Sequence, residues 1–158
     1  MKKGCCFAGH HKLPYSLESK IKVTEAVEDL IKQGVTEFYA GGVTGFNMLC
    51  SMVVLNLRVT YPEIKLHIIL PYLSINGPHE CGYKRYHKDK YNMIMTSADS
   101  VEYTSRYYWD GCIRKQNRRL ISFSDYCLCC FDPQRQNSST AQAIRFAKAK
   151  EIKIINIF

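Results

Sequence analysis

The sequence predicts an α/β fold: a mostly parallel sheet of about six strands with helices on both faces, in one three-layer domain over residues 1–158. Three observations carry that expectation. Six short apolar runs alternate with five segments of helical apolar spacing, the order produced when parallel strands are joined by right-handed helical crossovers. The runs IKLHIIL, DYCLCCF and IKIINIF are nearly continuously apolar, as strands buried on both faces are. No linker, repeat or low-complexity tract divides the 158 residues, a length that fits one domain with a substantial core.

Each element follows from local pattern. GCCFAG, residues 4–9, is the first expected strand. Residues 16–33 hold Ile21, Ala26, Val27, Leu30 and Ile31 at helical spacing and stop at Gly34. TEFYA, residues 36–40, is the second strand, and Gly45 to Val59 is a helix apolar on nearly every side. IKLHIIL, 64–70, is the third strand, closed by Pro71. A polar, aromatic-rich loop leads to a helix near Tyr86 to Ser97, and DSVEYT, 99–104, is the fourth strand. Residues 111–122 read as helix, DYCLCCF as the fifth strand, Ser139 to Lys150 as helix and IKIINIF as the sixth strand.

Composition narrows the class. With 46% hydrophobic and 23% charged residues the chain is globular rather than disordered. The start, MKKGCCFAGHHKLP, is too short in apolar residues for a signal peptide, and no apolar run approaches the ~20 residues that span a bilayer, so the expected setting is cytoplasmic, away from membranes. Without a secretory start, the eight cysteines are read as small buried thiols rather than disulfides. CLCC lacks the paired spacing of a zinc site, and its neighbouring residues point to opposite faces of a strand, so no metal is expected. The formal charge of +8 is densest in YKRYHKDK (83–90) and RKQNRR (114–119). Such patches bind nucleic acid, a phosphorylated small molecule, or only solvent.

Ligands of open α/β sheets bind beyond the carboxyl ends of the strands, near the switch in strand order. The segments expected there supply the candidate residues: Gly9, His10 and His11 after strand one; Gly41, Gly42, Thr44, Gly45 and Asn47 after strand two; Pro71 and Tyr72 after strand three; Arg106 after strand four; Asp132, Asn137, Ser138, Ser139 and Thr140 after strand five. Glycines, hydroxyls, aromatics and base in one lip suit a ligand with phosphates and flat rings. The stretch FYAGGVTGFNMLC either lets backbone amides approach such a ligand or is a tight strand-to-helix turn with none. Aligned to the dinucleotide fingerprint it is one glycine short, and no Lys-Ser/Thr follows as in a phosphate loop, which argues against a usual NAD-linked dehydrogenase and a P-loop nucleotidase. Ser138, Ser139 and Thr140 are helix N-caps in one reading and phosphate donors in the other.

The segments CCFAGHHKLP, FYAGGVTGFNMLCSMVVLNLR, YPEIKLHIILPY, CIRKQNRRLISFSD and NSSTAQAIRFAKAKEIKI occur in an order that resembles the YpsA-like branch of the SLOG superfamily. That superfamily is Rossmann-like and groups LOG proteins with the DNA-processing protein DprA. The resemblance covers nearly the whole chain and implies a nucleotide or nucleotide-derivative pocket at the lip, to which Asn117 and Arg118 are then added. Some relatives cleave a nucleotide's N-glycosidic bond; others bind or sense nucleotide signals, including ADP-ribose-like molecules. The chain departs from the pattern at His11 (usually Arg), Asn47 (Asp), Gln116 (Arg) and Ser122 (Asp). Ser138-Ser139-Thr140 stands for Gly-Gly-Thr, and Ala143 occupies the position of the hydrolases' glutamate.

A glycosidase needs a carboxylate to activate water or steady an oxocarbenium-like centre. Asp132 is the nearest substitute, and His10 or His11 the alternative bases. The leading expectation is therefore a binding module for an ADP-ribose-like or cyclic nucleotide signal, acting as sensor or sequestering protein with no required cofactor. The alternatives are a nucleoside-5′-phosphate N-glycosidase or nucleotide hydrolase, and DprA-like nucleic-acid binding through RKQNRR, against which stands the absence of aromatics within that helix. The all-round apolar helix FNMLCSMVVLNLRV predicts a homo-oligomer, a dimer or tetramer, unless one subunit buries it fully.

Overall fold

The computed structural model describes residues 2–10, 16–42, 45–73 and 88–158. Strands β1 (Lys3–Gly9), β2 (Val35–Ala40), β3 (Lys65–Leu70), β4 (Ser100–Tyr103), β5 (Tyr126–Cys130) and β6 (Lys153–Asn156) alternate with helices α1 (Leu17–Lys32), α2 (Gly45–Leu57), α3 (Lys88–Ser97), α4 (Cys112–Ser122) and α5 (Ser139–Lys150). All strands pair in parallel, in the order β4-β3-β2-β1-β5-β6. The expected Rossmann-like α/β sandwich is the fold.

Strand alternation assigns the two faces. Cys5 and Phe7 of β1, Phe38 and Ala40 of β2, Leu66, Ile68 and Leu70 of β3, and Leu128 and Cys130 of β5 share one core with α1, α2 and α3. Cys6, Ala8, Cys127 and Cys129 join the other core with Leu120 and Ile121 of α4 and Ala143, Ile144 and Ala147 of α5. On that second face β3 and β4 carry polar and aromatic groups. The Tyr39 ring stacks on His67 at 4.9 Å and on Phe123 at 5.2 Å, and Arg119 makes a two-pronged contact with Glu102.

Local chemistry sets the ends. Ser16 caps α1 by accepting from Ser19 N at 3.1 Å, and Gly34 leaves it at φ 98°, a left-handed conformation that favours glycine. The buried stripe of α1 is Val23, Val27, Leu30 and Ile31; Ile21, counted as apolar stripe in the sequence, is 48% exposed. Asp99, expected in strand four, stays outside it: its carboxylate accepts from Leu66 N at 2.9 Å and from Arg58 at 2.8 Å. Asp125 likewise precedes β5, exchanging bonds with the Gly4 backbone.

Helix α2 lies between α1 and α3 and against β1, β2 and β3. Phe46, Met48, Leu49, Cys50, Val53 and Val54 are all buried within the subunit. Most of its all-round apolar character is absorbed by this central position, while Met52, Leu55 and Leu57 are only half-buried. Among the described residues, no helix is long and apolar enough to cross a membrane, and seven cysteines are free and buried.

Candidate functional site

Strand β1 has β2 on one side and β5 on the other, and its connection leads to α1 while that of β5 leads to α5 on the opposite face. The crevice beyond the ends of β1 and β5 is the topological switch point. At Gly9, a Cβ would stand 2.5 Å from Phe46, so only glycine lets the first turn of α2 close onto β1. His10 is 7% exposed. Its carbonyl accepts from Phe46 N at 3.4 Å and its Nε2 from Asp132 N at 3.4 Å, which ties β1 to α2 and to the segment after β5.

The glycine turn after β2 is closed by its own helix: Gly41 N donates to Asn47 Oδ1 at 3.1 Å. Gly41 packs close to α4, where a Cβ would meet Leu120 at 2.9 Å and Gln116 at 3.1 Å, whereas a Cβ at Gly42 would meet nothing within 4 Å. Gly45 opens α2 at φ 56°. Across the crevice, Ser138 caps α5, its hydroxyl accepting from Ala141 N at 3.1 Å and donating to the Arg135 carbonyl at 2.8 Å. The N-cap reading of Ser138 is therefore correct for the side chain. Of the first amides, Phe46 N is taken by the His10 carbonyl and Ala141 N and Gln142 N by Ser138, while both helix ends carry partial positive charge.

Two neighbouring amide side chains of α4 hold both turns. Gln116 Nε2 donates to the Gly41 carbonyl and to that of Ile69 at 2.8 Å. Asn117 Nδ2 donates to the Ser139 carbonyl and to Gln142 Oε1, both at 3.1 Å. Both are buried, and their α-carbons are about 3.8 Å apart, so the glycine turn and the start of α5 are gripped from one turn of helix. The role of Gln116 was missed in the sequence, where it registered only as a departure from a family arginine. The available signal was an amide pair midway between the apolar Ile113 and Leu120.

Other candidates fall elsewhere. Asp132 forms a turn, its Oδ1 accepting from Gln134 N at 3.0 Å and its carbonyl from Arg135 N at 2.9 Å. Asn137 is exposed and Thr140 buried at 3%. Pro71, Tyr72 and Arg106 follow β3 and β4, two and three strands from β1, hence roughly 10–15 Å along the sheet. Tyr72 meets Tyr108 edge-on at 5.6 Å, and Arg106 lies over Tyr107 at 5.8 Å. Arg118 does not reach the crevice: it lies on the outer side of α4, 5.1 Å from the Phe146 ring. His11 and Thr44 lie outside the described residues. Among the described residues, no group of three or more His, Cys, Asp or Glu is placed to hold a metal ion.

Three kinds of comparison bear on this geometry. The YpsA model, described as the YspA SLOG family, matches residues 7–158. A UPF0398 protein of Halalkalibacterium halodurans is 29% identical over 69% of the chain and 57% of its own length, and one of Staphylococcus saprophyticus is 27% identical over 73% and 61%. The chain thus spans about three fifths of the length of these relatives. Among solved structures, DNA processing protein A of Helicobacter pylori, studied for its single-stranded DNA binding mode, superposes with a TM-score of 0.63 at 15% identity, covering 96% of this chain and 63% of that one. The molybdenum cofactor carrier protein of Chlamydomonas reinhardtii gives 0.56 at 13% identity, covering 98% and 75%. These likenesses are ones of fold. The family match over residues 7–158 says more, and the chain belongs to the YpsA family of SLOG proteins.

Proposed function

We propose that this domain binds a nucleotide or nucleotide-derived ligand, of the ADP-ribose-like or cyclic class, in the crevice beyond β1 and β5. The observation that carries the reading is the pair of turns opening α2 and α5, gripped side by side by Gln116 and Asn117. Two helix N-termini at one switch point offer amides and positive dipole ends to phosphate oxygens. A phosphorylated nucleotide meets both requirements, and the DNA-processing and cofactor-carrier proteins that share the fold are compatible with a nucleotide-type ligand. Binding is favoured over hydrolysis by what the side chains already do. Asp132 oxygens serve a turn, His10 Nε2 serves an amide, and Ala143 stands at the hydrolase glutamate position.

Thermal-shift measurement with AMP, ADP-ribose, NAD and cyclic nucleotides is the test, because a ligand selective for the folded state raises its stability. Gly42→Asp adds a carboxylate where space is open, and it is expected to abolish the shift while leaving the ligand-free Tm unchanged. Chromatography after long incubation is expected to return the ligand intact. The absence of a shift with every nucleotide, or a Gly42→Asp protein that binds as tightly as the parent, overturns the proposal.

A further inference from the structure

A second surface lies outside the crevice, where β4 ends and α4 begins. The segment after β4 exposes three aromatic side chains in succession, Tyr107 at 62%, Tyr108 at 65% and Trp109 at 50%. Two of them are held in place: Trp109 Nε1 donates to Ser105 Oγ at 2.9 Å, its ring packs against Gly111 where a Cβ would stand 2.1 Å away, and Tyr108 abuts Tyr72. A cavity of about 480 Å³ is lined by Glu102, Tyr103 and Thr104 of the β4 end and by Lys115, Arg118 and Arg119 of α4. Arg119 is neutralised by Glu102, but no carboxylate stands within ion-pair distance of Arg106, Arg114, Lys115 or Arg118 among the described residues. Asp110 is the one opposing charge in the segment.

Helix α4 carries no aromatic residue itself; the segment directly before it, Tyr107 to Trp109, supplies them. We infer that the Tyr103–Trp109 segment and the outer side of α4 form a binding surface for single-stranded nucleic acid, with bases stacked on the rings and phosphates tracking Lys115 and Arg118. Exposed aromatic side chains next to cations that lack a carboxylate partner match unpaired bases on a charged backbone, whereas a duplex hides its ring faces. Tyr108 and Trp109 are packed before binding, which limits the ordering cost. This surface is independent of the nucleotide crevice.

Fluorescence anisotropy of a labelled oligo-dT of about 12 nucleotides, a length within the usual site sizes, tests the inference on the intact chain. Affinity is expected to fall with salt, and Lys115→Ala is expected to reduce the log–log salt slope by about 0.7, one phosphate contact. Tyr107→Ala is expected to weaken binding about tenfold at unchanged slope, while Tyr107→Phe retains it. Gly42→Asp is expected to leave oligo-dT binding intact, so failure here and failure at the crevice are separable. Tighter binding to duplex DNA of the same length, salt-insensitive binding, or a Tyr107→Ala protein that binds like the parent overturns it.

Discussion

Glu151 closes α5 at φ 62° and ψ 31°, the left-handed region, with Ile152 N bonded to the Ala147 carbonyl at 3.2 Å. Gly34 fills the equivalent place after α1. A side chain in that conformation costs about 1 kcal/mol, because its Cβ crowds the following carbonyl. Glu151→Gly should therefore raise stability by about 0.5–1 kcal/mol, seen as a Tm increase of roughly 2–3 °C for a chain of this size. A lower urea midpoint in that variant would show that the Glu151 side chain contributes more than its backbone strain costs. Gly9 is the opposite case, a glycine at an ordinary φ that is required because Phe46 already occupies the place of its Cβ.

At the scale of elements, α4 is the part on which the crevice depends. Its C-terminal carbonyls, those of Ile121 and Ser122, accept from Lys150 of α5 at 2.9 and 3.0 Å, and its middle grips the glycine turn and the start of α5. Asn117→Ala removes two hydrogen bonds to part-buried acceptors and is expected to lower stability by about 1 kcal/mol. It should also weaken nucleotide binding beyond that loss, because the start of α5 is released. Urea denaturation alongside ligand titration checks both, and a variant with unaltered affinity would confine α4 to packing. Most elements were legible because apolar spacing reports burial directly: α5 begins at Ser139 and ends at Lys150 as its pattern implied. The tasks of Gln116 and Asn117 were not legible, since a hydrogen bond to a turn some 75 residues earlier leaves no local pattern. The aromatics Tyr107, Tyr108 and Trp109 stand in the sequence directly before α4; what the sequence does not report is their exposure.

Across the whole molecule, the buried thiols set a dependence on pH. Burial pushes the Cys5 and Cys50 thiols well above their ordinary range, and burial raises Cys130 as well. Cys6 moves the other way, lowered by the sulfhydryl contact from Cys127. A raised thiol stays protonated in the folded chain while the unfolded chain loses its proton near pH ~8.5. Stability is thus full below that pH and falls as pH rises above it. Burial and the nearby Glu37 also raise the Tyr39 phenol, which extends the loss above pH ~10. Urea midpoints in reducing buffer should drop between about pH 7.5 and about pH 9.5, and Cys50→Ala should flatten the slope. A pH-independent midpoint would mean these thiols ionise equally in both states. The fold class was readable from alternation, but the strand order was not, because pairing is decided by how two layers of helix divide the sheet. It is this order that separates Pro71, Tyr72 and Arg106 from the group around His10.

The central position of β1 has a further consequence for how the molecule comes into being. One flank of this strand is met early, when β2 arrives within a few dozen residues, but Cys6 waits for Cys127 and Gly9 for Cys130. A nascent chain emerging from the ribosome would carry an open, greasy edge until the residues of β5 had followed. Neither the crevice nor its α4 clamp could assemble before β5 and the start of α5 had been made.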